Sequence, residues 1–216
     1  MELTIGPRLY STWSLRGWLV MKRTGADFAV RSVEYASAEQ KAALRDHSPT
    51  GLVPLLQLGE DTIWDTLAIA EWAAETYPQA QLWPADPVVR AYARSVTAEM
   101  HSGFAALRAL CGMGPSHPIA GDVRSDPPSD PALDRDLSRL VSIWKQMRGR
   151  YGADGPWLFG AWSIADAFFT PVAARVRHYR IDLPQHGDTD GIAAAYMQTL
   201  LSQPDFLEWE AEALAS

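Results

Sequence analysis

The sequence predicts a small α/β domain followed by an all-α helical domain. Strand-like and helix-like patterns alternate up to residue 77, as they do in α/β units built on a small mixed sheet. Beyond that point the strand patterns stop, and the periodic segments have helical spacing. The segment 78–86 holds two prolines among polar residues, which is typical of a linker. We therefore expect an α/β domain over residues 1–80 and an all-α domain over residues 87–216.

Local pattern and punctuation predict each element of the first domain. An alternating run that ends at Gly6-Pro7 indicates the first strand. Ser14 directly precedes a run with helical spacing and Gly25 follows it, so Ser14 is the expected N-cap and Gly25 the expected stop. The second helix must end before Ser48-Pro49, because the residue ahead of a proline is pushed out of the helical region. The predicted order is strand 2–5, a helix from Ser14 to Gly25, strand 28–33, helix 36–47, strands 55–58 and 62–64, and helix 66–77.

The second domain is predicted to contain five helices. Their predicted spans are 88–110, 133–151, 164–178, 192–201 and 206–214. Between the first two, residues 112–131 are rich in Gly, Pro, Ser and Asp, which predicts a long loop.

Composition excludes several classes of function. The 216 residues are 47% hydrophobic with a net charge of -7, so a packed core is expected and a nucleic-acid partner is not, since such proteins need a basic surface. The single cysteine, Cys111, has no partner for an internal disulfide. Apolar runs are too short for a membrane helix, and the first residues do not resemble a secretory signal. We expect a cytoplasmic protein that does not span a membrane.

Four local motifs point to a specific chemistry. They are Leu9-Tyr10-Ser11-Thr12-Trp13-Ser14-Leu15-Arg16 before the first helix, Val53-Pro54 before the third strand, Ile63-Trp64-Asp65-Thr66-Leu67-Ala68-Ile69 at the third helix, and Trp157 to Ala167 in the second half. In the last of these, Ser163 and Asp166 have the spacing of a capping box at the start of a buried helix. We assign that motif to structure.

In sequence and order these motifs resemble the glutathione transferase family, in its serine-type, zeta-like bacterial branch. The resemblance covers essentially the whole chain. It implies a thioredoxin-like N-terminal domain that binds glutathione as a cosubstrate, an all-helical C-terminal domain, a homodimer, and no metal. The absence of a Cys-x-x-Cys or a single cysteine in the first motif argues against thioredoxins, glutaredoxins and cysteine-type transferases.

The resemblance makes Ser11 the residue that hydrogen-bonds the glutathione sulfur, with Ser14 as a second catalytic candidate. A thiol with a pKa of about 8.5 is mostly protonated at neutral pH. A hydroxyl donor and a helix N-terminus aimed at the sulfur favour the nucleophilic thiolate. The alternative is that these serines only cap the helix. We expect the Ser14 oxygen to accept from its own helix's amides, which leaves Ser11 free to donate.

The resemblance also implies a set of glutathione-binding residues. The backbone ahead of a cis proline in the family pairs with the cysteinyl backbone of glutathione like an added strand, which here designates Val53 with Pro54. The helix N-terminus at Asp65 and Thr66 attracts the glutamyl carboxylate, and Asp65 receives the ammonium group. An N-cap role for either residue is compatible with binding. The full predicted set is Trp13, Leu52, Val53, Pro54, Asp65, Thr66 and His101.

His101 lies in the stretch Ala98 to Phe104, which resembles one in a bacterial branch of the family. It either contacts an electrophile or the glutathione carboxylates, or is a satisfied histidine between domains. The second-substrate pocket is assigned to Trp13, Phe104, Met113 and His117. Zeta-like isomerases often carry basic residues in this region for an acidic substrate, and Arg108 is the one that we can place there. This departure from the family pattern argues against maleylacetoacetate isomerisation.

The sequence therefore predicts a glutathione-dependent transferase that activates the thiolate for attack on a small, apolar electrophile. Two alternatives stay open: a glutathione-dependent isomerase or lyase, and a non-catalytic binding module built on the same fold.

Overall fold

The computed structural model describes residues 1–215. Its strands are β1 (Glu2–Ile5), β2 (Ala29–Ser32), β3 (Leu55–Leu58) and β4 (Asp61–Ile63). Its α-helices are α1 (Thr12–Thr24), α2 (Ala38–Arg45), α3 (Thr66–Thr76), α4 (Pro87–Ser102), α5 (Ala105–Leu110), α6 (Pro131–Tyr151), α7 (Ile164–His178), α8 (Ile192–Ser202) and α9 (Pro204–Ala215). Single 3₁₀ turns lie at Pro78–Ala80 and Leu183–His186.

The four strands form one mixed sheet in the order β2-β1-β3-β4. β1 pairs in parallel with β2, whereas the β1–β3 and β3–β4 pairs are antiparallel. The β3–β4 hairpin turns at Gly59, whose φ of 65° suits a residue without a Cβ. A mixed sheet with helices, followed by a helical region, is the thioredoxin-like plus all-α fold that the sequence predicts, and this prediction is confirmed.

Helix α1 links the two halves of the molecule. Its residues Leu15 and Leu19 are fully buried, and the helix packs against α3 on one side and α7 and α9 on the other. Arg16 Nε donates to the Phe168 carbonyl of α7 at 3.0 Å. The start of α1 is therefore fixed by contacts from both halves of the chain.

Helix α7 is the buried helix of the second half, and its capping box is confirmed. The Asp166 carboxylate accepts from the Ser163 amide at 2.8 Å and from the Ser163 hydroxyl at 3.1 Å. It also accepts from the Leu158 amide and the Tyr196 hydroxyl. Burial raises the pKa of Asp166, and these bonds lower it.

Two predicted helix boundaries are wrong for identifiable reasons. Ser14 is not the N-cap of α1: the N-cap is Ser11, and Ser14 lies inside the helix because its Oγ accepts from the Gly6 amide instead of from its own helix. The predicted helix 88–110 breaks into α4 and α5 at Gly103 and Phe104, where Phe104 has a φ of 57°. Arg108 reaches back across this break to the carbonyls of Gly103, Met100 and His101.

The remaining elements lie within a few residues of their predicted spans. Helix α6 begins at Pro131, two residues before the prediction, because Asp130 accepts from the amides of Ala132 and Leu133. The domain boundaries at 1–80 and 87–216 stay a prediction. No helix within residues 1–215 combines the length and the apolar character needed to cross a membrane.

We expect Ser163→Ala to lower the free energy of unfolding by about 1 to 2 kcal/mol. The change removes a hydrogen bond from a carboxylate that is fully buried and that water cannot reach. Ser37→Ala is the matched control, since Ser37 and Gln40 form an exposed capping box on α2. Urea unfolding followed by circular dichroism should show a smaller loss for Ser37→Ala. An equal or larger loss in the control would contradict the assignment.

Candidate active site

A chain of hydroxyl groups lies at the N-terminus of α1. The Gly6 amide donates to Ser14 Oγ at 2.9 Å, and the Ser11 hydroxyl donates to Ser14 Oγ at 2.8 Å. Ser14 is fully buried, whereas Ser11 retains slight exposure and lines a cavity. The Ser14 oxygen is thus occupied, as predicted, but by the Gly6 amide and Ser11 and not by the amides of its own helix.

The first-turn amides of α1 donate no hydrogen bond to the N-cap side chain, because the Ser11 hydroxyl is turned toward Ser14. A helix N-terminus with uncapped N–H groups carries a partial positive charge. Thr12 and Trp13 of this first turn line the same cavity as Ser11. The arrangement favours a negative charge beside the Ser11 hydroxyl.

A cavity of about 540 Å³ gathers the predicted glutathione-binding residues. It is formed where the start of α1, the segment before β3, the start of α3 and the end of α4 meet. Its lining includes all seven residues that the sequence analysis assigned to glutathione: Trp13, Leu52, Val53, Pro54, Asp65, Thr66 and His101. Thr50, Trp64 and Ala68 complete it.

Val53 is held with its peptide groups unpaired. The Val53-Pro54 peptide bond is cis. Within residues 1–215, no backbone hydrogen bond is formed by the Val53 amide or carbonyl, although β3 begins only two residues later. An unpaired donor and acceptor at the end of a strand are suited to an extended peptide that continues the sheet.

Asp65 has two functions at the start of α3. Its Oδ1 caps the helix by accepting from the amides of Leu67 at 2.9 Å and Ala68 at 3.3 Å. Its Oδ2 lies 3.0 Å from His101 Nε2, which comes from α4. The Asp65 side chain is 55% exposed and faces the cavity, so it remains open to a cationic group. The Thr66 hydroxyl donates to the Trp13 carbonyl at 3.4 Å and joins the starts of α3 and α1.

His101 contacts both halves of the chain. Its ring lies edge-on to Trp13, with 5.2 Å between the centroids, and 6.1 Å from the ring of Phe168. Its Nδ1 is buried without a hydrogen-bond partner among the described residues. Both predicted interpretations therefore stay open, because the histidine bridges the two halves and also lines the cavity.

A second cavity of about 710 Å³ adjoins the first and shares Trp13, Thr50, Leu52 and Val53 with it. Its further lining includes Ser11, Tyr35, Met113, Gly114 and Pro115. The loop 112–131 thus forms one wall of this cavity, and Met113 is among its lining residues, as predicted.

The other two residues predicted for the second-substrate pocket, Phe104 and His117, line neither cavity. Phe104 is buried at the break after α4, and His117 stacks on Tyr179 and hydrogen-bonds His178.

Three arginines form a cluster of positive charge behind Trp13. The guanidinium carbons of Arg16 and Arg108 lie 4.5 Å and 4.8 Å from the centre of the Trp13 ring. Arg175 of α7 is also buried, and burial together with the Arg108 charge lowers its pKa to about 10. Within residues 1–215, none of the three forms an ion pair with a carboxylate at 4.0 Å or less.

Arg16 and Arg175 are also short of hydrogen-bond partners. Arg16 Nη2 and Arg175 Nε are both buried and unpaired among the described residues. The Asp136 carboxylate raises the pKa of Arg108, but burial lowers it by more. Buried charges without counter-charges are costly. None of the three arginines lines either cavity, although Arg16 and Arg108 stack on Trp13, which lines both.

Among the described residues we find neither a reactive cysteine nor a cluster of side chains that could bind a metal ion. Cys111 is buried, and burial raises the pKa of its thiol, which disfavours a reactive thiolate. No group of three or more His, Cys, Asp or Glu side chains within residues 1–215 is arranged to hold a metal ion.

Sequence reasoning missed Tyr35, Arg16 and Arg175 as residues near the site. Arg16 was part of the first motif, and its i+3 spacing from Trp13 predicts that the two side chains share a helix face. Tyr35 and Arg175 are brought to the site by the tertiary fold, and no local pattern marks them.

Comparisons with known proteins agree with this geometry. Residues 10–76 match the family model described as glutathione S-transferase, N-terminal domain. A probable maleylacetoacetate isomerase of Caenorhabditis elegans is 33% identical over 108 residues, which cover 48% of this chain and 50% of that protein. A maleylpyruvate isomerase of a Ralstonia species is 27% identical over 202 residues, covering 82% and 85% of the two chains.

A solved structure extends the likeness to the whole fold. The holo structure of maleyl pyruvate isomerase, a bacterial glutathione S-transferase in the zeta class, superposes with a TM-score of 0.68. It is 20% identical and covers 99% of this chain and 98% of its own. At that identity the superposition shows a shared fold.

Proposed function

This chain belongs to the glutathione S-transferase family and is zeta-like, and on that premise we propose that it is a glutathione-dependent isomerase of an unsaturated carboxylic acid. Bound glutathione supplies a thiolate, a nucleophile able to add to an electrophilic double bond and leave it again. The chain's own residues have to bind the tripeptide, favour the thiolate and hold the acid.

The observation that supports the proposal most is the single cavity that gathers the seven glutathione-binding candidates beside Ser11. Val53 offers an unpaired amide and carbonyl to the cysteinyl backbone. Asp65 offers a carboxylate to the glutamyl ammonium, and the α3 N-terminus suits the glutamyl carboxylate. These contacts would direct the sulfur toward the second cavity, which shares Val53 and Trp13 with the first.

Ser11 is our candidate for the thiolate donor. Its hydroxyl now donates to Ser14 Oγ, but a hydroxyl rotates freely, and a 2.8 Å separation allows donation in either direction. When Ser11 donates to sulfur, Ser14 can donate to Ser11, so the chain of hydroxyls stays satisfied. Ser14 then acts as a positioning residue.

The arginine cluster favours an acidic substrate over the apolar electrophile that the sequence suggested. Arg108 is partly exposed beside Trp13, which lines both cavities, and Arg175 adds to the same positive field. None of the three arginines lines the second cavity, so a carboxylate there would be attracted by their positive charge from the other side of Trp13. No described carboxylate neutralises that charge at short range. The relatives named as maleylacetoacetate and maleylpyruvate isomerases are consistent with this choice.

Conjugation of glutathione to an apolar electrophile is the second candidate function. The apolar lining at Trp13, Met113 and Pro115 supports it. A non-catalytic binding module is less well supported, since binding alone would not require the hydroxyl of Ser11 beside a helix N-terminus. The homodimer also stays a prediction.

Asp65→Asn should weaken glutathione binding about tenfold and change the melting temperature little. Asparagine caps helices as well as aspartate does, but it lacks the charge that attracts an ammonium group. Asp86→Asn is the matched control, because Asp86 caps α4 through Val88 and Val89 with the same geometry and does not line this cavity. Calorimetric titration with glutathione distinguishes them. Equal affinities for both variants would contradict the role of Asp65.

Arg175→Met should raise the KM for the acidic substrate about tenfold, leave glutathione affinity unchanged, and not lower stability. The change removes a buried charge that repels Arg16 and Arg108, and methionine fills much of the volume. Glutathione-dependent isomerisation of maleylpyruvate is the assay, and the exposed Arg135→Met controls for the lost surface charge. An unchanged KM in Arg175→Met would contradict the acidic substrate. Turnover of a neutral aryl halide but of no maleyl acid would favour the second candidate.

A further inference from the structure

A second hydroxyl group approaches Ser11 from the loop between β2 and α2. Tyr35 lies in this loop, and like Ser11 it lines the second cavity. A Cβ placed on Gly6 would lie 3.0 Å from Ser11 Oγ and 3.1 Å from the Tyr35 hydroxyl oxygen. The two oxygens therefore converge on one point, directly above the glycine whose amide holds Ser14.

The glycine at position 6 makes this convergence possible. The same Cβ would lie 2.5 Å from Tyr35 Cε1, a distance that real Cβ atoms do not reach. Any larger residue at position 6 would displace the Tyr35 ring and crowd Ser11. The close approach of the tyrosine ring is thus a built feature of the β1–α1 loop.

The Tyr35 proton is available for a ligand. Within residues 1–215 the Tyr35 hydroxyl donates no hydrogen bond of standard geometry, and the side chain that interacts with it is Ser11. Burial raises the pKa of Tyr35, and the facing Ser11 hydroxyl lowers it, so that the group is protonated at neutral pH. By contrast, the Ser11 proton is already given to Ser14.

We propose that Tyr35 is a second hydrogen-bond donor to the glutathione thiolate, beside Ser11. The proposal rests on the proposed function, since it assigns a further catalytic residue to the same sulfur site. A thiolate accepts several hydrogen bonds, and each donor to the charged form lowers the pKa of the thiol. The sulfur would lie between the two hydroxyls at the N-terminus of α1, with no proton transferred from either side chain.

Tyr10, in the loop between β1 and α1, provides a comparison because it lines the same second cavity as Tyr35. Its ring lies edge-on to that of Tyr35, with 6.3 Å between the centroids. The Cβ position at Gly6 has the Tyr35 and Ser11 oxygens as neighbours and none of the Tyr10 atoms among its nearest contacts. Tyr10→Phe therefore removes a nearby tyrosine hydroxyl that does not converge with the Ser11 hydroxyl above Gly6.

The test compares Tyr35→Phe, Tyr10→Phe and Ser11→Ala in the full chain. Two quantities are measured: the pKa of the bound thiol from the ultraviolet absorbance of the thiolate, and the acidic limb of the kcat/KM profile against pH. Tyr35→Phe keeps the ring and its contact with Tyr10, so folding is preserved and can be verified by melting. Affinity for S-methylglutathione, which has no thiol, reports on the peptide contacts alone.

We expect Tyr35→Phe to raise both pH midpoints by about one unit, which lowers the thiolate fraction about tenfold below the midpoint. Ser11→Ala should raise them at least as far, and Tyr10→Phe should leave them unmoved. Affinity for S-methylglutathione should be the same in all of them. If Ser11→Ala moves the midpoint and Tyr35→Phe does not, the role of Tyr35 is overturned and the proposed function stands. If Ser11→Ala also leaves the midpoint unmoved, the serine-based thiolate mechanism fails, and the role of Tyr35 fails with it.

Discussion

The hydrogen bond from the Gly6 amide to Ser14 Oγ fixes the geometry on which the site depends. It ties the loop after β1 to the first turn of α1, so that Ser11 becomes the N-cap and its hydroxyl is turned away from the helix amides. The uncapped amides and the Ser11 hydroxyl then face the same cavity. A longer loop, or an α1 that began at Ser14, would separate the helix N-terminus from the serine donor.

The second half of the chain supports this geometry with charge and with contacts. Arg16 extends from α1 to the Phe168 carbonyl and stacks on Trp13, while Arg108 stacks on Trp13 as well. Trp13 thus separates two guanidinium groups from the cavities that it lines. If the substrate is anionic, as we propose, its binding would offset part of the cost of holding these charges in the interior.

Local motifs predicted most of the residues that line the first cavity, because these residues lie in short segments at the ends of strands and helices. Val53-Pro54 and Asp65-Thr66 are such segments. The role of Ser14 was predicted less well, since its partner Gly6 is eight residues away and no helical or strand period relates the two. Tyr35 and Arg175 could not be predicted, because their distances to Ser11 and Trp13 are set by how the β2–α2 loop and α7 pack. The break at Phe104 was missed for a similar reason: Arg108 stabilises the end of α4 through carbonyls that only the folded turn brings together.

We propose that binding at the α1 N-terminus ionises the thiol of glutathione. Calorimetric titrations at pH 7 in two buffers of different ionisation enthalpy count the protons released on binding. Free glutathione is mostly protonated at this pH, so we predict the release of close to one proton per site. The same titration with S-methylglutathione should release none beyond those of other groups. Equal proton release for the two ligands would show that the thiol stays protonated, and would contradict the claim.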